Sequence, residues 1–479
     1  MRPGNRLPSP RARPTRRRAA AAVLLALVFG GGVLAGCSGG RGDGKQSAAE
    51  ASGATPTSDV AGATSAATPF AVASPQTLPV TPVHIDYVAA DPSFEALPGA
   101  RAIFGRYDGG AYQIEVPDAW NGDVVYFAHG FRGNPPELTV TPPPIREYLV
   151  ARGYAWAASS YSKNGYEPGA GARDTYALRD IFAQKVGRPK HQYLYGQSMG
   201  GHVVTFSLEQ YPDAYDGALT ECGVVSGHEV LDYFLSWGAL AGYFSGVDLE
   251  NMTTDAGAFG TTIQSRILPA LGDAPDALTA KGRAFEDVIE NLTGGPRPFF
   301  REGFAANFGF NFVILVNAVG AAGPSNAAAD NTTARYRIDD GYGATSAQVN
   351  AGVPRVAANP AYRDPAAYPE FAPMTGKIDR PLLTLHDTGD LFVPIALEQS
   401  YRRTVEAAGR GDLLVQRAVR RAGHCNFSEQ ERERAFDDLV RWVQTGAKPA
   451  GDDLSGDLRD VGTRFTDPPE PADPGGVTP

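Results

Sequence analysis

The chain has 479 residues, 10% of them aromatic, which suffices for one large domain with an insertion or for two to three domains. It carries 43 basic and 53 acidic residues, a net charge of −10, and the net charge falls to −17 without the seven arginines of its first 18 residues. So negative a body repels phosphate groups, which excludes nucleic acid as a partner.

Residues 1–36 have the pattern of a secretory signal peptide. The arginines precede the apolar run AAAAVLLALVFGGGVLAG, which is almost long enough for a membrane span. The basic start, the apolar middle and the small residues before Cys37 favour a cleaved signal instead. Leu34-Ala35-Gly36-Cys37 resembles a bacterial lipobox, which implies a lipid on Cys37 and a protein anchored to the cell membrane outside the cytoplasm. The alternative is an ordinary signal peptide with a chance cysteine.

Two segments have too few large apolar side chains to bury a core. Residues 37–80 are rich in Ala, Ser, Gly and Thr, and we expect them to form a flexible tether between the membrane surface and the folded domain. Residues 448–479 are rich in Pro, Asp and Gly, and we expect a loose tail there.

Between these segments, short β-rich runs alternate with helical runs, which predicts an α/β fold with a mostly parallel sheet flanked by helices. The runs at 101–107 and 111–116 predict an opening hairpin, and the near-continuous apolar composition of later runs indicates strands buried on both faces. The later predicted strands are 123–130, 154–160, 191–196, 217–225, 381–386 and 413–419. The predicted helices are 145–153, 172–187, 199–211, 394–408 and 428–443.

The alternation stops at residues 226–375, a stretch rich in glycine and aromatic residues. We interpret this stretch as a large cap, or lid, inserted after the sixth core strand, with the core formed by residues 81–225 and 376–447. Its aromatic side chains either line an apolar pocket for an acyl or aromatic group or form the cap's own core, which we expect for most of them. They are Tyr233, Phe234, Trp237, Tyr243, Phe244, Phe299, Phe300, Phe304, Phe308, Phe310 and Phe312.

The segment Gly196-Gln197-Ser198-Met199-Gly200 has the pattern G-x-S-x-G between a predicted strand and a predicted helix. In that context a sharp turn lifts the serine above the sheet, and the small flanking residues allow the backbone to fold there. Ser198 is therefore the candidate nucleophile. A serine hydroxyl needs a base to react near neutral pH, so further residues must complete the site.

Residues 385–394, LHDTGDLFVP, follow a predicted strand and offer two acids, Asp387 and Asp390. Of the seven histidines, His424 follows the last predicted strand, where the chain order serine, acid, histidine requires the base. We predict that His424 is the general base and that Asp390 or Asp387 orients its ring and stabilises the imidazolium. Asp387 is the alternative acid, and loop capping is a structural alternative for either aspartate.

Three further inferences concern the oxyanion hole, the role of His129 and the binding of a metal. His129-Gly130-Phe131 follows a predicted core strand, and the backbone N–H groups of Phe131 and Met199 are candidates for an oxyanion hole. We expect a structural role for His129 itself. A zinc site needs three or four ligands at suitable spacing, which the sequence does not offer, so we expect neither a metal nor another cofactor.

Together, AHGF, GQSMGG, LHDTGDLFVP and AGHC resemble the motifs of the α/β-hydrolase superfamily, in the same order, over about residues 100–445 apart from the insertion. The resemblance implies the α/β-hydrolase fold and favours Asp390 as the acid, because Asp387 stands where the family pattern has glycine. G-x-S-x-G with GHC is similar to secreted esterases of the tannase and feruloyl esterase type, in which a disulfide joins cysteines beside the catalytic serine and histidine. Here no cysteine adjoins Ser198.

The two cysteines besides Cys37 are Cys222, at the end of a predicted strand, and Cys425, beside His424. Because the signal peptide implies an oxidising compartment, we expect them to form a disulfide that holds the histidine loop to the sheet. Two buried free thiols are the alternative.

These features predict a secreted, membrane-anchored serine hydrolase that cleaves a small-molecule carboxylic ester with an apolar or aromatic moiety. The first alternative is a serine peptidase of the prolyl or aminopeptidase type, although no propeller-like repeat precedes the core. The second alternative is a non-catalytic binding lipoprotein with the same fold. The complete set of Ser198, Asp390 and His424 favours an enzyme over a binding protein.

Overall fold

The computed structural model describes residues 76–77, 84–248, 256–319 and 325–468. The predicted signal peptide, Cys37 and nearly all of the predicted tether lie outside the described residues, as do residues 469–479. The strands are β1 Gln76–Thr77, β2 Val88–Ala89, β3 Ala100–Tyr107, β4 Gly110–Pro117, β5 Val124–Ala128, β6 Glu137–Leu138, β7 Ala155–Ser159, β8 Gln192–Gln197, β9 Gly217–Glu221, β10 Val356–Ala357, β11 Leu382–Gly389 and β12 Leu414–Ala422. The helices are α1 Arg146–Ala151, α2 Pro168–Lys185, α3 Met199–Gln210, α4 Glu229–Ser245, α5 Ala256–Thr262, α6 Leu268–Leu271, α7 Ala280–Leu292, α8 Phe300–Val319, α9 Ser346–Gly352, α10 Ala396–Ala407 and α11 Glu429–Thr445.

Eight strands form one sheet in the order β12-β11-β9-β8-β5-β7-β4-β3. β4 pairs antiparallel with β3 and β7, and all other neighbours in this sheet are parallel. Every residue of β5, β7 and β9 is buried. This agrees with the prediction, made from their apolar runs, that helices cover these strands on both faces. This strand order with its helical crossovers confirms the predicted α/β-hydrolase fold, with the insertion after the sixth strand of the sheet, β9.

Helices cover both faces of the sheet. α1 and α11 pack on one face through Leu149 and Phe436, while α2, α3 and α10 pack on the other through Phe182, Val204 and Tyr401. Because β8, β9, β11 and β12 run parallel, their carboxyl ends lie at one edge of the sheet, and the loops that follow β8, β11 and β12 meet there. In folds of this kind, that edge is where ligands bind.

The insertion between β9 and β11 forms a cap with its own hydrophobic core. The ring of Trp237 on α4 lies at its centre and contacts Phe285, Phe304 and Phe312 on α7 and α8. The cap-core interpretation is therefore correct for most of the cap's aromatic residues. Those buried in this core are Tyr233, Trp237, Phe244, Phe300, Phe304, Phe308 and Phe312.

The prediction of a loose tail is wrong for residues 448–468. The N–H of Asp452 donates to the carbonyl of Gln416 on β12 at 2.7 Å, and the Asp452 carboxylate accepts the N–H of Ala418 at 2.9 Å. The segment thus covers β12, which would otherwise be an open edge of the sheet. Its few apolar side chains are spaced so that three of them become buried beside this strand: Leu454, Leu458 and Val461.

Two findings concern the chain's membrane and tether predictions. β1, which lies near the end of the predicted tether, pairs in parallel with β10. Among the residues that the structure describes, no helix combines the length and the apolar composition that a membrane span requires.

Candidate active site

Ser198 lies in the sharp turn between β8 and α3. Its backbone has φ 58° and ψ −120°, a conformation that side-chain-bearing residues rarely adopt. A Cβ atom added at Gly200 would lie 2.0 Å from the carbonyl oxygen of Ala128, and one added at Gly196 would lie 2.2 Å from that of Gly200. The turn therefore requires glycine on both sides, which is the structural meaning of the motif.

The structure brings together the three residues of the predicted triad. Nε2 of His424 lies 2.8 Å from Oγ of Ser198, and Nδ1 lies 2.6 Å from Oδ2 of Asp390. Asp390 is fully buried, whereas 22% of the His424 side chain is exposed. Because the carboxylate accepts at Nδ1, that nitrogen carries the proton and Nε2 accepts from the serine hydroxyl.

The carboxylate of Asp390 has three hydrogen-bond donors. Its Oδ2 faces the histidine, and its Oδ1 accepts the backbone N–H groups of Phe392 at 2.8 Å and Val393 at 2.9 Å. The position of the acid is therefore set by the backbone of the loop that follows β11.

The histidine loop is held to the sheet by the predicted disulfide. Cys222, directly after β9, is bonded to Cys425, and their Cα atoms lie 5.1 Å apart. Cys425 has φ 58°, so the loop turns sharply beside His424. The sulfur atoms of Cys222 and Cys425 and a ring nitrogen of His424 lie within 4.8 Å of one another, although their spacing in the chain is not that of a metal site. The sulfurs are bonded to each other, and both ring nitrogens are hydrogen-bonded, so none of these ligand atoms is free for a metal.

Glu221 and Arg432 form a second link between the serine and histidine loops, which the sequence did not predict. Nε of Arg432 lies 2.6 Å from Oε2 of the fully buried Glu221, whose Oε1 accepts from the side-chain amide of Gln197 at 2.6 Å. The same guanidinium donates to the carbonyls of Phe427 and Cys425. One signal was available: a glutamate in the apolar run GALTEC must have a partner.

Asp387, the alternative acid, does not contact His424. Its Oδ2 accepts the N–H of Asn426 at 2.8 Å, and its Oδ1 has no hydrogen-bond partner in the described part of the chain. Burial raises the pKa of this carboxyl well above its ordinary value, and the negative charge of Asp390 raises it further. Asp387 thus supports the histidine loop as an acceptor, and its raised pKa favours the neutral form.

The predicted oxyanion turn passes beside the nucleophile. A Cβ atom added at Gly130 would lie 2.9 Å from Cβ of Ser198 and 3.4 Å from its Oγ. Phe131 follows this glycine, and Met199 is the first residue of α3, where N–H groups have no partner within the helix. Among the described residues, neither N–H donates to a protein acceptor. Both N–H groups therefore remain candidates for the oxyanion hole.

Two other buried histidines near the site have structural partners. Nδ1 of His129 lies 2.7 Å from the carbonyl of Gly130, its ring stacks on Tyr161, and burial lowers its pKa to about 3. His202 on α3 binds the Tyr166 hydroxyl and the Glu370 carbonyl, both at 2.9 Å, and burial also lowers its pKa to about 3. Both rings are neutral, and His129 has the structural surroundings that we predicted for it.

An aromatic surface adjoins His424. The ring of Phe392 meets the imidazole edge-on at 4.9 Å between centroids and contacts Phe234 and Phe310 of the cap at 5.6 Å and 5.2 Å. Phe310 is 43% exposed, although it is a large apolar side chain. Phe310 is therefore an exception to the cap-core interpretation, whereas Phe234 contacts both Phe392 and the cap core. A separate cleft of about 540 Å³ lies between α7, α10 and the C-terminal segment, and none of the triad residues lines it.

Comparisons with known proteins give distant likenesses. No protein-family model matches the chain. The o-phthalyl amidase of Xanthobacter agilis is 22% identical over 405 residues, which cover 73% of this chain and 88% of that protein. An esterase from Aspergillus oryzae superposes with a TM-score of 0.42 at 13% identity, covering 73% of this chain and 80% of its own. The acylaminoacyl peptidase of Pyrococcus horikoshii superposes with a TM-score of 0.37 at 11% identity, covering 75% of this chain and 44% of its own. The strand order and connections of the chain itself define its fold.

Proposed function

We propose that this protein is a serine hydrolase that cleaves carboxylic esters through an acyl-enzyme on Ser198. The observation that carries the proposal is the hydrogen-bonded chain from Ser198 Oγ through His424 to Asp390, with distances of 2.8 and 2.6 Å. In this mechanism His424 removes the hydroxyl proton as Oγ attacks the carbonyl carbon, and Asp390 stabilises the resulting imidazolium. The N–H groups of Phe131 and Met199 stabilise the tetrahedral oxyanion.

The second half of the reaction uses the same groups. The imidazolium protonates the departing alcohol, and the C–O bond to that alcohol breaks to leave the acyl group on Ser198. His424 then removes a proton from a water molecule, whose oxygen attacks the acyl carbon. The imidazolium returns this proton to Ser198 Oγ as the bond between Oγ and the acyl carbon breaks, which releases the acid and restores the free serine. The partly exposed aromatic surface formed by Phe392, Phe234 and Phe310 supports a substrate with an apolar or aromatic moiety.

The test is fluorophosphonate labelling and a panel of p-nitrophenyl esters of increasing acyl length, with protein that lacks residues 1–37. We expect labelling and turnover that Ser198→Ala abolishes, with a preference among acyl chains that reports the size of the pocket. Absence of labelling in the unaltered protein would refute the proposed nucleophile and favour a non-catalytic binding protein.

A second candidate function is hydrolysis of an amide rather than an ester, as in the serine peptidase alternative. Its support is the relative named an o-phthalyl amidase, whose likeness spans most of both chains. A matched panel of p-nitroanilides and p-nitrophenyl esters of the same acids distinguishes the two. Labelling with turnover of the anilides alone would replace the ester proposal by the amide one.

We also propose that the protein is exported and anchored to the cell membrane by a lipid on Cys37. The support is the arginine-rich start, the apolar run and the lipobox-like Leu34-Ala35-Gly36-Cys37. Cys37→Ala tests this proposal by detergent phase partition of the full chain. The unaltered protein is expected in the detergent phase and the variant is not; equal partition of both would contradict the anchor.

A further inference from the structure

The loop that carries Asp390 is bound from the cap as well as from the core. The hydroxyl of Tyr233 on α4 donates to the carbonyl of Leu391 at 2.6 Å, and the side-chain amide of Asn311 on α8 donates to the same oxygen at 2.9 Å. Asn311 also donates to the Tyr233 hydroxyl at 3.2 Å. All three residues are buried, so a cap that moved away would leave this carbonyl without its donors.

Arg297 binds the other side of the acid. Its Nε donates to the carbonyl of Thr388 at 2.6 Å, and its remaining hydrogen bonds go to Gly295 and Thr293 of its own segment. The guanidinium is buried, yet no carboxylate among the described residues lies within ion-pair distance of it. The carboxylates that act on its charge at longer range are Glu290 and Asp390. A buried cation therefore stands next to the backbone that precedes the acid.

The cap and the acid loop also touch backbone to backbone. A Cβ atom added at Gly303 of α8 would lie 1.9 Å from the carbonyl oxygen of Gly389, and one added at Gly389 would lie 2.4 Å from that of Phe299. The cap therefore packs directly against the residue before Asp390. A lid that swings open at this point would break these contacts and three buried hydrogen bonds.

We propose that this part of the cap is a fixed support of the active site, and that Tyr233, Asn311 and Arg297 are positioning residues that hold Asp390 against His424. The inference rests on the proposed function, since it assigns these residues a role in the reaction of Ser198. Their effect passes through the backbone of the acid loop: pinned carbonyls at 388 and 391 fix the N–H groups of Phe392 and Val393, and these fix the carboxylate.

The test compares cap variants of the full chain in two backgrounds, the unaltered protein and Asp390→Asn. The variants are Tyr233→Phe with Asn311→Leu, Arg297→Met, and Arg297→Lys, which keeps a charged donor. The measured quantities are the second-order rate constant of fluorophosphonate labelling at Ser198 and, with an ester substrate, kcat and KM. The matched control is Tyr336→Phe, which removes a buried cap hydroxyl that binds Ser236 rather than the acid loop.

We expect the Tyr233/Asn311 variant and Arg297→Met to lower kcat and the labelling rate by about 10-fold or more with little change in KM, because small misplacements of catalytic groups have large effects. Arg297→Lys should recover part of the loss, and Tyr336→Phe should cause none. In the Asp390→Asn background the same variants should have almost no further effect, because residues that act through one group are not additive. Equal losses in both backgrounds, or none in either, would overturn the proposal.

Hydrogen exchange separates this inference from the proposed function. If the unaltered protein neither labels nor turns over any ester, the function fails, but the exchange of the N–H groups of Phe392 and Val393 still reports how the acid loop is held. Faster exchange at these two positions in the cap variants, and not in Tyr336→Phe, supports the fixed cap. Unchanged exchange overturns it.

Discussion

Asp387, near the end of β11, and Asp390, directly after that strand, hold two different points of the histidine loop. Oδ2 of Asp390 lies 2.6 Å from Nδ1 of His424, and Oδ2 of Asp387 accepts the N–H of Asn426 at 2.8 Å. Both carboxyl groups are fully buried. Burial, and in addition the negative charge of Asp390, raise the pKa of the Asp387 carboxyl and favour its neutral form.

The neutral state of Asp387 predicts a pH-dependent effect of Asp387→Asn. The folded-state pKa of this carboxyl is raised above its unfolded value, so its contribution to stability is fully present below the unfolded pKa and is lost as pH rises toward the folded pKa. The asparagine keeps the acceptor for Asn426 and cannot ionise. The variant should therefore gain in Tm relative to the unaltered protein as the pH rises from about 4 to 8.

Calorimetry across that pH range checks this prediction. Asp412→Asn, at a fully exposed aspartate, controls for the loss of one surface carboxyl. A difference in Tm between Asp387→Asn and the unaltered protein that stays constant from pH 4 to pH 8 would show that Asp387 ionises in the folded state.

The disulfide predicts sensitivity to a thiol reductant. Cys222 and Cys425 are 203 positions apart in the chain, so the bond restricts a long loop of the unfolded state. Its reduction should lower the free energy of unfolding by about 2–4 kcal/mol and reduce activity, since Cys425 adjoins His424. Urea unfolding with and without reductant measures this change, with Cys222→Ser/Cys425→Ser as the control that reductant does not affect. Full alkylation of both cysteines in non-reduced, denatured protein would show that the bond does not form.

The triad could be predicted from the sequence because each member lies in a local pattern with its own chemistry. Ser198 stands in a strand–turn–helix motif, and Asp390 and His424 follow strands in the order that the fold requires. The fold was predictable for a similar reason: buried parallel strands have near-continuous apolar runs, and helices separate them.

Apart from the disulfide, the supports of the triad could not be predicted, because they join distant segments without a local signal. Arg432 binds Glu221 from 211 positions away, and Tyr233 binds Leu391 from 158 positions away. The buried glutamate in an apolar strand indicates that a partner exists, but no pattern names it. The tail was predicted wrongly because composition alone hides three well-spaced apolar residues, such as Leu454.

The pair of Glu221 and Arg432 predicts that removing one partner is worse than removing both. Arg432→Met leaves a fully buried carboxylate without its cation and should lower the free energy of unfolding by about 3–5 kcal/mol. Glu221→Gln combined with Arg432→Met removes the charge as well and should recover part of the loss. Urea unfolding measures both. Arg441→Met, which breaks a pair in which Arg441 is 62% exposed, should cost less than about 1 kcal/mol. Equal costs for Arg432→Met and Arg441→Met would contradict the buried pair.

Two glycine substitutions test the geometry of the nucleophile turn against the general effect of alanine in a helix. Gly200→Ala places a Cβ atom 2.0 Å from the backbone oxygen of Ala128, a group that cannot move without disturbing β5 and the oxyanion turn. Labelling of Ser198 by fluorophosphonate should therefore fall by at least about 100-fold, because the nucleophile is displaced. Gly309→Ala on α8 meets no atom within 4 Å and should raise the free energy of unfolding by up to about 1 kcal/mol, the ordinary gain of alanine over glycine in a helix. If Gly200→Ala were labelled at the same rate as Gly309→Ala, the turn beside Ser198 would have more space for a side chain than the structure shows.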